Sequence, residues 1–310
     1  MPIFGAELAE VAPEQPRAVA VEGDYICTIN YPNSDAGLMP NGSYVIMDTT
    51  TETARAFTGL GTSTSVGASD SPVTSVVGHA GYFWVQRFSG DAITRITPST
   101  GALTTYSMPR GELKPLALGA GMGDYLAFFS ATNAFGYDHQ VWRISTTTSA
   151  SAGSFVASGM SALAACSDGH FYVKAAVGST WHKMDPTAPN TSVASTTGGG
   201  VGRGVEYGGY LWFQNSTGIT RLDFSLFPAA GTFTNYSHTI VPGGNYASTS
   251  DLVLGADNWL YGYGASDYLI GFDPATGTFG KEALAPTRGR RYTICSAAGK
   301  LWIPSGEPLT

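Results

Sequence analysis

Seven apolar or aromatic pairs, each following a Gly, Asp or Asn turn, constrain this chain more than any other feature. They are Ile26-Cys27, Phe83-Trp84, Leu126-Ala127, Phe171-Tyr172, Leu211-Trp212, Leu260-Tyr261 and Leu301-Trp302. Their first members stand 57, 43, 45, 40, 49 and 41 residues apart. A period of about 40 to 50 residues marks one supersecondary unit that buries its apolar face against copies of itself.

Each unit reads in the same order. A strand of small residues comes first ("VTSVVGHAG", "LALGAGMGD", "ALAACSDGH", "LVLGADN"), then the strand carrying the pair ("YFWVQ", "YLAFF", "FYVKA", "YLWFQ", "WLYGY"). A third strand ("AITRI", "QVWRI", "TWHKM", "GITRL", "YLIGF") leads through turns such as "TPSTG" or "DPATG" to a Thr-rich fourth. Small residues let several first strands crowd around an axis. The second strand is apolar at successive positions, as a strand covered on both faces must be. The third alternates, which predicts half-exposure. In "DPATG" the proline presets its own φ and the glycine supplies a positive one, fitting a tight antiparallel reversal.

These features predict an all-β fold, a seven-bladed β-propeller with about four antiparallel strands per blade, forming a single domain over residues 1–310. A two-sheet sandwich has no need of similar units, and a β-helix would repeat at shorter intervals. The last unit offers two strands before Thr310, so residues 2–11, "PIFGAELAEV", are expected to supply its outer strand and join the termini. A three-stranded last blade and a strand from a partner chain are the alternatives. Residues 1–16 are read as a segment that completes that blade or docks on a partner. Closure would shield sheet edges that otherwise pair between molecules.

Composition excludes several classes. Hydrophobic residues make up 43% and charged residues 13%, with 40 glycines, so hydroxyls and backbone solvate much of the surface. A net charge of −7 and a pI near 5.1 argue against nucleic-acid binding, which needs a basic face. The local exception, Arg288, Arg290 and Arg291, reads as a solvated loop without interleaved aromatics. Cys27, Cys166 and Cys295 read as small buried hydrophobes, since no spacing suits zinc or a disulfide framework. No stretch approaches the roughly 18 apolar residues of a membrane span, and the N-terminus lacks the pattern of a signal peptide. Four Asn-x-Ser/Thr sequons, at Asn41, Asn190, Asn215 and Asn235, are what a Ser/Thr-rich chain yields by chance.

Loops that join second to third strands, and fourth strands to the next unit, gather at one end of such a fold, and function rides on loops of rigid scaffolds. Here they offer Tyr31, Arg110, Phe135, Tyr137, His139, Arg203 and Tyr246 as a candidate ligand-binding set. Of the five histidines, only His139, beside Asp138 in the loop 130–140, stands where an acid-base pair would meet a ligand. His79 falls in a hairpin turn, His170 at a strand start, His182 on a third strand and His238 in a loop. The runs "GGGVG" and "GAGMG" lack a following helix and read as strand-end turns. No Gly-x-Ser-x-Gly, Walker or HExxH motif occurs, so no catalytic residue, metal or cofactor is assigned.

The units "GYLWF…GITRLD" and "GYFWV…AITRITPSTG" resemble the repeat of the virginiamycin B (streptogramin) lyase family over nearly the whole chain. That resemblance implies a propeller and a magnesium-dependent ring-opening elimination carried by a histidine and a nearby Glu-x-His pair. No Glu here is followed two places later by His. Where that family's units carry Glu just after the second strand, this chain has Gln86 and Gln214 among others.

Low Lys with abundant Thr, Gly, Ser and Ala resembles the structural proteins of bacteriophages infecting high-GC bacteria, whose tails and capsids carry propellers. The expected role is therefore a non-enzymatic virion protein. Its N-terminal segment or one face would dock on other virion proteins, while the loop end binds a host-surface glycan or protein. Its expected location is the virion, otherwise the cytoplasm. The alternative is a streptogramin lyase-like or lactonase-like enzyme with its site at the axis. A secreted lectin would repeat aromatics at equivalent loop positions, which this chain does not.

Overall fold

The computed structural model describes residues 16–30, 44–60, 76–86, 92–107, 114–131, 138–147, 151–158, 160–175, 179–187, 192–215, 217–229, 231–237, 252–263, 268–283 and 294–302. They form strands and connections, ordered in chain sequence. The first unit is β1 to β4 (Pro16–Glu22, Tyr25–Asn30, Tyr44–Asp48, Thr53–Phe57) and the second β5 to β8 (Val76–His79, Tyr82–Gln86, Ala92–Ile96, Leu103–Ser107). The third is β9 to β12 (Lys114–Met122, Tyr125–Ala131, Asp138–Ser145, Ser151–Ser158) and the fourth β13 to β16 (Met160–Cys166, His170–Ala175, Thr180–Met184, Ser192–Thr197). The fifth is β17 to β20 (Val201–Tyr207, Tyr210–Asn215, Gly218–Leu222, Phe233–Ser237) and the sixth β21 to β24 (Val253–Leu254, Leu260–Tyr263, Tyr268–Asp273, Thr278–Ala283). A terminal hairpin, β25 and β26 (Cys295–Ala297, Lys300–Trp302), follows.

Within each unit the strands pair antiparallel in chain order. The first strands lie against one another in succession, β1 on β5, β5 on β9, β9 on β13, β13 on β17, β17 on β21 and β21 on β25, and β25 lies against β1. Between the fourth and fifth units this approach becomes a parallel ladder, Ala162 opposite Gly202 and Leu163 opposite Arg203. Small residues permit it. A Cβ on Gly78 would stand 1.8 Å from the Val21 carbonyl oxygen, so no larger residue fits that seam without displacing backbone.

The core is divided among seams between neighbouring units. Cys27, Tyr44 and Ile46 meet Val76, Phe83 and Ile96; Tyr172 and Trp181 meet Leu211 and Phe213; Val19, Ile26 and Met47 meet Cys295, Ala297 and Trp302. All fourteen residues of the repeated pairs are buried. The second member also needs a partner for its polar atom, and the turn before it supplies one. Trp84, Trp212 and Trp302 donate from Nε1 to the carbonyls of His79, Tyr207 and Ala297 at 2.9, 3.0 and 3.0 Å. Tyr172 and Tyr261 instead donate to the carboxylates of Asp168 and Asp257 at 2.8 and 2.6 Å.

The third strand of the fourth unit, β15, is half-exposed as expected, with Trp181 and Met184 buried and Thr180, His182 and Lys183 partly exposed, but those of the second and fifth units are not. Ile93, Thr94 and Ile96 on β7, and Ile219, Thr220 and Leu222 on β19, are buried. Arg95 and Arg221 each lie over the tyrosine that opens the neighbouring second strand, 4.2 Å from the Tyr82 ring centre and 4.3 Å from that of Tyr210. The alternation thus places a guanidinium on an aromatic face, where cation and ring attract. It explains why Gly-Tyr-x-Trp and Ile-Thr-Arg recur together.

The turns follow the expectation. Gly101 and Gly277 have φ of 71°, and their amides bond back to the carbonyls of Thr97 and Asp273, both at 2.8 Å. "GAGMG" does not: Gly119 and Gly121 lie inside β9, where Gly121 makes room for the His79 ring of the second unit. His79 itself ends β5 and its Nε2 lies 2.7 Å from the Gly123 carbonyl oxygen.

Candidate functional site

Of the loop-end set, Tyr31, Arg110, Phe135, Tyr137 and Tyr246 lie outside the described residues. His139 belongs to strand β11 rather than a loop, opposite Ala131 of β10 and Ala157 of β12. The 130–140 segment is shorter as a connection than expected because both strands extend into it. Arg203, assigned to a loop from its glycine neighbours, also sits on a strand. Gly202 and Gly204 flank it because β17 is a first strand: a Cβ on Gly204 would fall 2.3 Å from the Phe213 ring. The glycines mark close packing there.

Arg203 reaches out of its own unit. Nη1 donates to the Val76 carbonyl of β5 at 3.0 Å and Nη2 to the Val19 carbonyl of β1 at 3.2 Å, while the Arg203 carbonyl accepts from Leu252 N at 3.4 Å. First strands turn one edge of carbonyls away from their own sheet, and buried carbonyls need donors. The planar guanidinium satisfies two from two units at once. It also acts on Cys295: burial pushes that thiol up to about 12, and the nearby Arg203 charge pulls against the rise.

The second position after the repeated pair faces a seam in the fourth and fifth units. Lys174 and Gln214 occupy it in the fourth and fifth units and are 7% and 1% exposed. Lys174 Nζ donates to the Gly200 carbonyl at 2.8 Å, beside the Trp181 Nε1 bond to Gly199 at 2.8 Å. Gln214 lies against Gly262 of the sixth unit, where a Cβ would meet its Nε2 at 2.0 Å. The triple glycine 198–200 is thereby pinned between units. Burial holds the Lys174 ammonium below its ordinary pKa. Sequence reasoning passed over Lys174, although its alignment with Gln86 and Gln214 was the available signal.

A second charged group lies where the turns join first to second and third to fourth strands. Asp168 pairs with Lys183 at 2.7 Å and accepts from Tyr172 OH. Burial would raise its pKa, but the bonds from Lys183 and Tyr172 outweigh that and hold it below the ordinary value. Ser167 donates from N and Oγ to the two oxygens of Glu206, stapling the fourth unit to the fifth. His170 Nδ1 stands 3.0 Å from the Asp168 carbonyl oxygen, and burial lowers the pKa of His182. Cys27, Cys166 and Cys295 are buried free thiols. Among the described residues no three His, Cys, Asp or Glu side chains converge to hold a metal ion, and no helix is long and apolar enough to cross a membrane.

The chain superposes on virginiamycin B lyase from Staphylococcus aureus with a TM-score of 0.68 at 14% identity, over 96% of this chain and 94% of that one. The likeness is one of fold. A streptogramin B lyase gives 0.69 at 14% identity over 96% and 93%, and the Cps50 (Swd1) propeller domain of Myceliophteria thermophila gives 0.67 at 12% over 96% and 95%. The chain is therefore an all-β propeller on the scaffold that lyases and WD40-type domains share. No family model matches it, and no curated protein matches it in sequence.

Proposed function

We propose that this propeller is a non-enzymatic interaction module, a bacteriophage tail- or capsid-associated virion protein that meets a host-surface glycan or protein. The observation that carries the non-enzymatic reading is Arg203. This member of the candidate set sits on a first strand with its guanidinium engaged with carbonyls of two other units, which makes it a structural tie. Among the described polar side chains that repeat between units, Trp84, Trp212, Tyr172 and Tyr261 likewise hydrogen-bond within the scaffold, and Arg95 and Arg221 lie over tyrosine rings of it. Assignment to a virion rests on composition.

In this reading the units form a seven-bladed closed ring. Support comes from the apolar seam between the first unit and the terminal hairpin, and from the 2.6 Å ion pair between Lys300 and Glu52, 248 positions apart. Residues 2–11 would supply the missing outer strand or dock on the particle; they lie outside the described residues.

Fractionation of native particles tests the role: the protein should co-sediment with them and be seen on them by imaging. Its absence from particles would end the virion assignment. A lyase-like or lactonase-like enzyme is the second reading, favoured by the superposition on two lyases. Turnover of a lactone or depsipeptide by the isolated protein, dependent on His139 or on added magnesium, would establish it instead.

A further inference from the structure

The fifth unit departs from the others between its third and fourth strands. Asp223 and Gly231 stand eight positions apart, against four between Asp273 and Gly277 and four between Thr97 and Gly101. The extra residues carry Phe224, Leu226 and Phe227. Phe224 and Phe227 pack into the seam between the fourth and fifth units, Phe227 edge-on to Tyr172 at 5.3 Å between ring centres. Leu226 does not join that seam and is 46% exposed.

The loop that presents it is fixed. Leu226 N donates to the Asp223 carbonyl at 3.3 Å, Ala229 N to the Leu226 carbonyl at 2.6 Å, and Asp223 N to the Thr232 carbonyl at 2.7 Å. The Asp223 carboxylate accepts from Ser225 N and Oγ at 3.0 and 2.6 Å. An apolar side chain on a loop already ordered loses little freedom when it is captured, which is the economy of a preorganised anchor. Val193, on β16 just after the corresponding turn of the fourth unit, is 54% exposed. Those two are the exposed large apolar residues among the described ones, and both lie toward the same end of adjacent units.

Charge defines what would fit there. The turns at this end of the fourth and fifth units carry Asp168, Asp185 and Asp223, and Glu206, bonded by Ser167, stands near the end of β17 beside them. Against these four carboxylates stand Lys183, held by Asp168, and Arg221, held over the Tyr210 ring. We infer that Leu226 is the apolar knob of a docking surface for a protein that offers an apolar pocket bordered by lysine or arginine. The inference rests on the interaction-module reading and names the end opposite the loop end as the one that docks.

The test uses the full chain in its native host with a photo-crosslinking residue replacing Ala229, with and without Leu226→Asp. Irradiation should give one discrete adduct, mapped to a segment of another protein in which basic residues flank apolar ones. Leu226→Asp should reduce its yield about tenfold or more while leaving the thermal midpoint unchanged. No adduct, an adduct that persists in Leu226→Asp, one with a second copy of this chain, or one mapped to an uncharged or acidic segment would overturn the inference. An adduct at Ala229 whose yield does not depend on Leu226 would refute the knob while leaving the interaction-module reading intact, and particle fractionation tests the virion assignment separately.

Discussion

Nη1 of Arg203 lies 3.0 Å from the carbonyl oxygen of Val76, 127 positions earlier in the chain, and Nη2 lies 3.2 Å from that of Val19, 184 positions earlier. One side chain thus ties three units together near the point where their first strands converge. Arg203→Met should cost about 2 to 4 kcal/mol, since two charge-assisted bonds vanish and two carbonyls lose a donor. Arg203→Lys should recover less than half of this, because a single ammonium cannot span both acceptors as a planar fork does. Equilibrium denaturation in urea measures both.

Lys174 should make stability depend on pH in the alkaline range. Its folded pKa is below the ordinary 10.5, so the folded state binds this proton less tightly than the unfolded state. Its contribution is fully present above 10.5 and is lost as pH falls through the lowered folded value. Wild type should therefore gain stability relative to Lys174→Met as pH is raised through that window. A pH-independent difference between the two would show that Lys174 is not desolvated.

Asp168 acts at the acid end with the same sign logic. Its folded pKa is depressed, so its contribution is complete above about 3.8 and is lost as pH falls through the folded value. Asp168→Asn should weaken the Lys183 and Tyr172 bonds at neutral pH, costing about 1 to 3 kcal/mol. Below the folded pKa the variant and wild type should converge. Acid titration of the denaturation midpoint follows this directly.

Gly78→Ala should be the most damaging of the small substitutions, at about 3 kcal/mol or more, because the added methyl meets backbone at 1.8 Å instead of a movable side chain. Trp84→Phe should cost about 1 to 2 kcal/mol through the lost bond to His79 and a small void. Trp84→Ala should cost about 3 to 5 kcal/mol. Thermal unfolding ranks the three.

The repeat of paired apolar residues was legible in sequence, down to the strand order and the positive φ of Gly101 and Gly277. Those features are local: a strand covered on both faces must be apolar at successive positions, and a tight turn must contain a residue that tolerates its backbone angles. Arg203, Lys174 and the Phe224–Leu226–Phe227 loop were not legible, since each takes its meaning from a neighbour far away in sequence. A glycine beside an arginine looks the same in a loop as in a first strand. Only when another unit's carbonyls or aromatic rings come within contact distance does it become a packed junction, and that encounter depends on how separate sheets assemble in three dimensions.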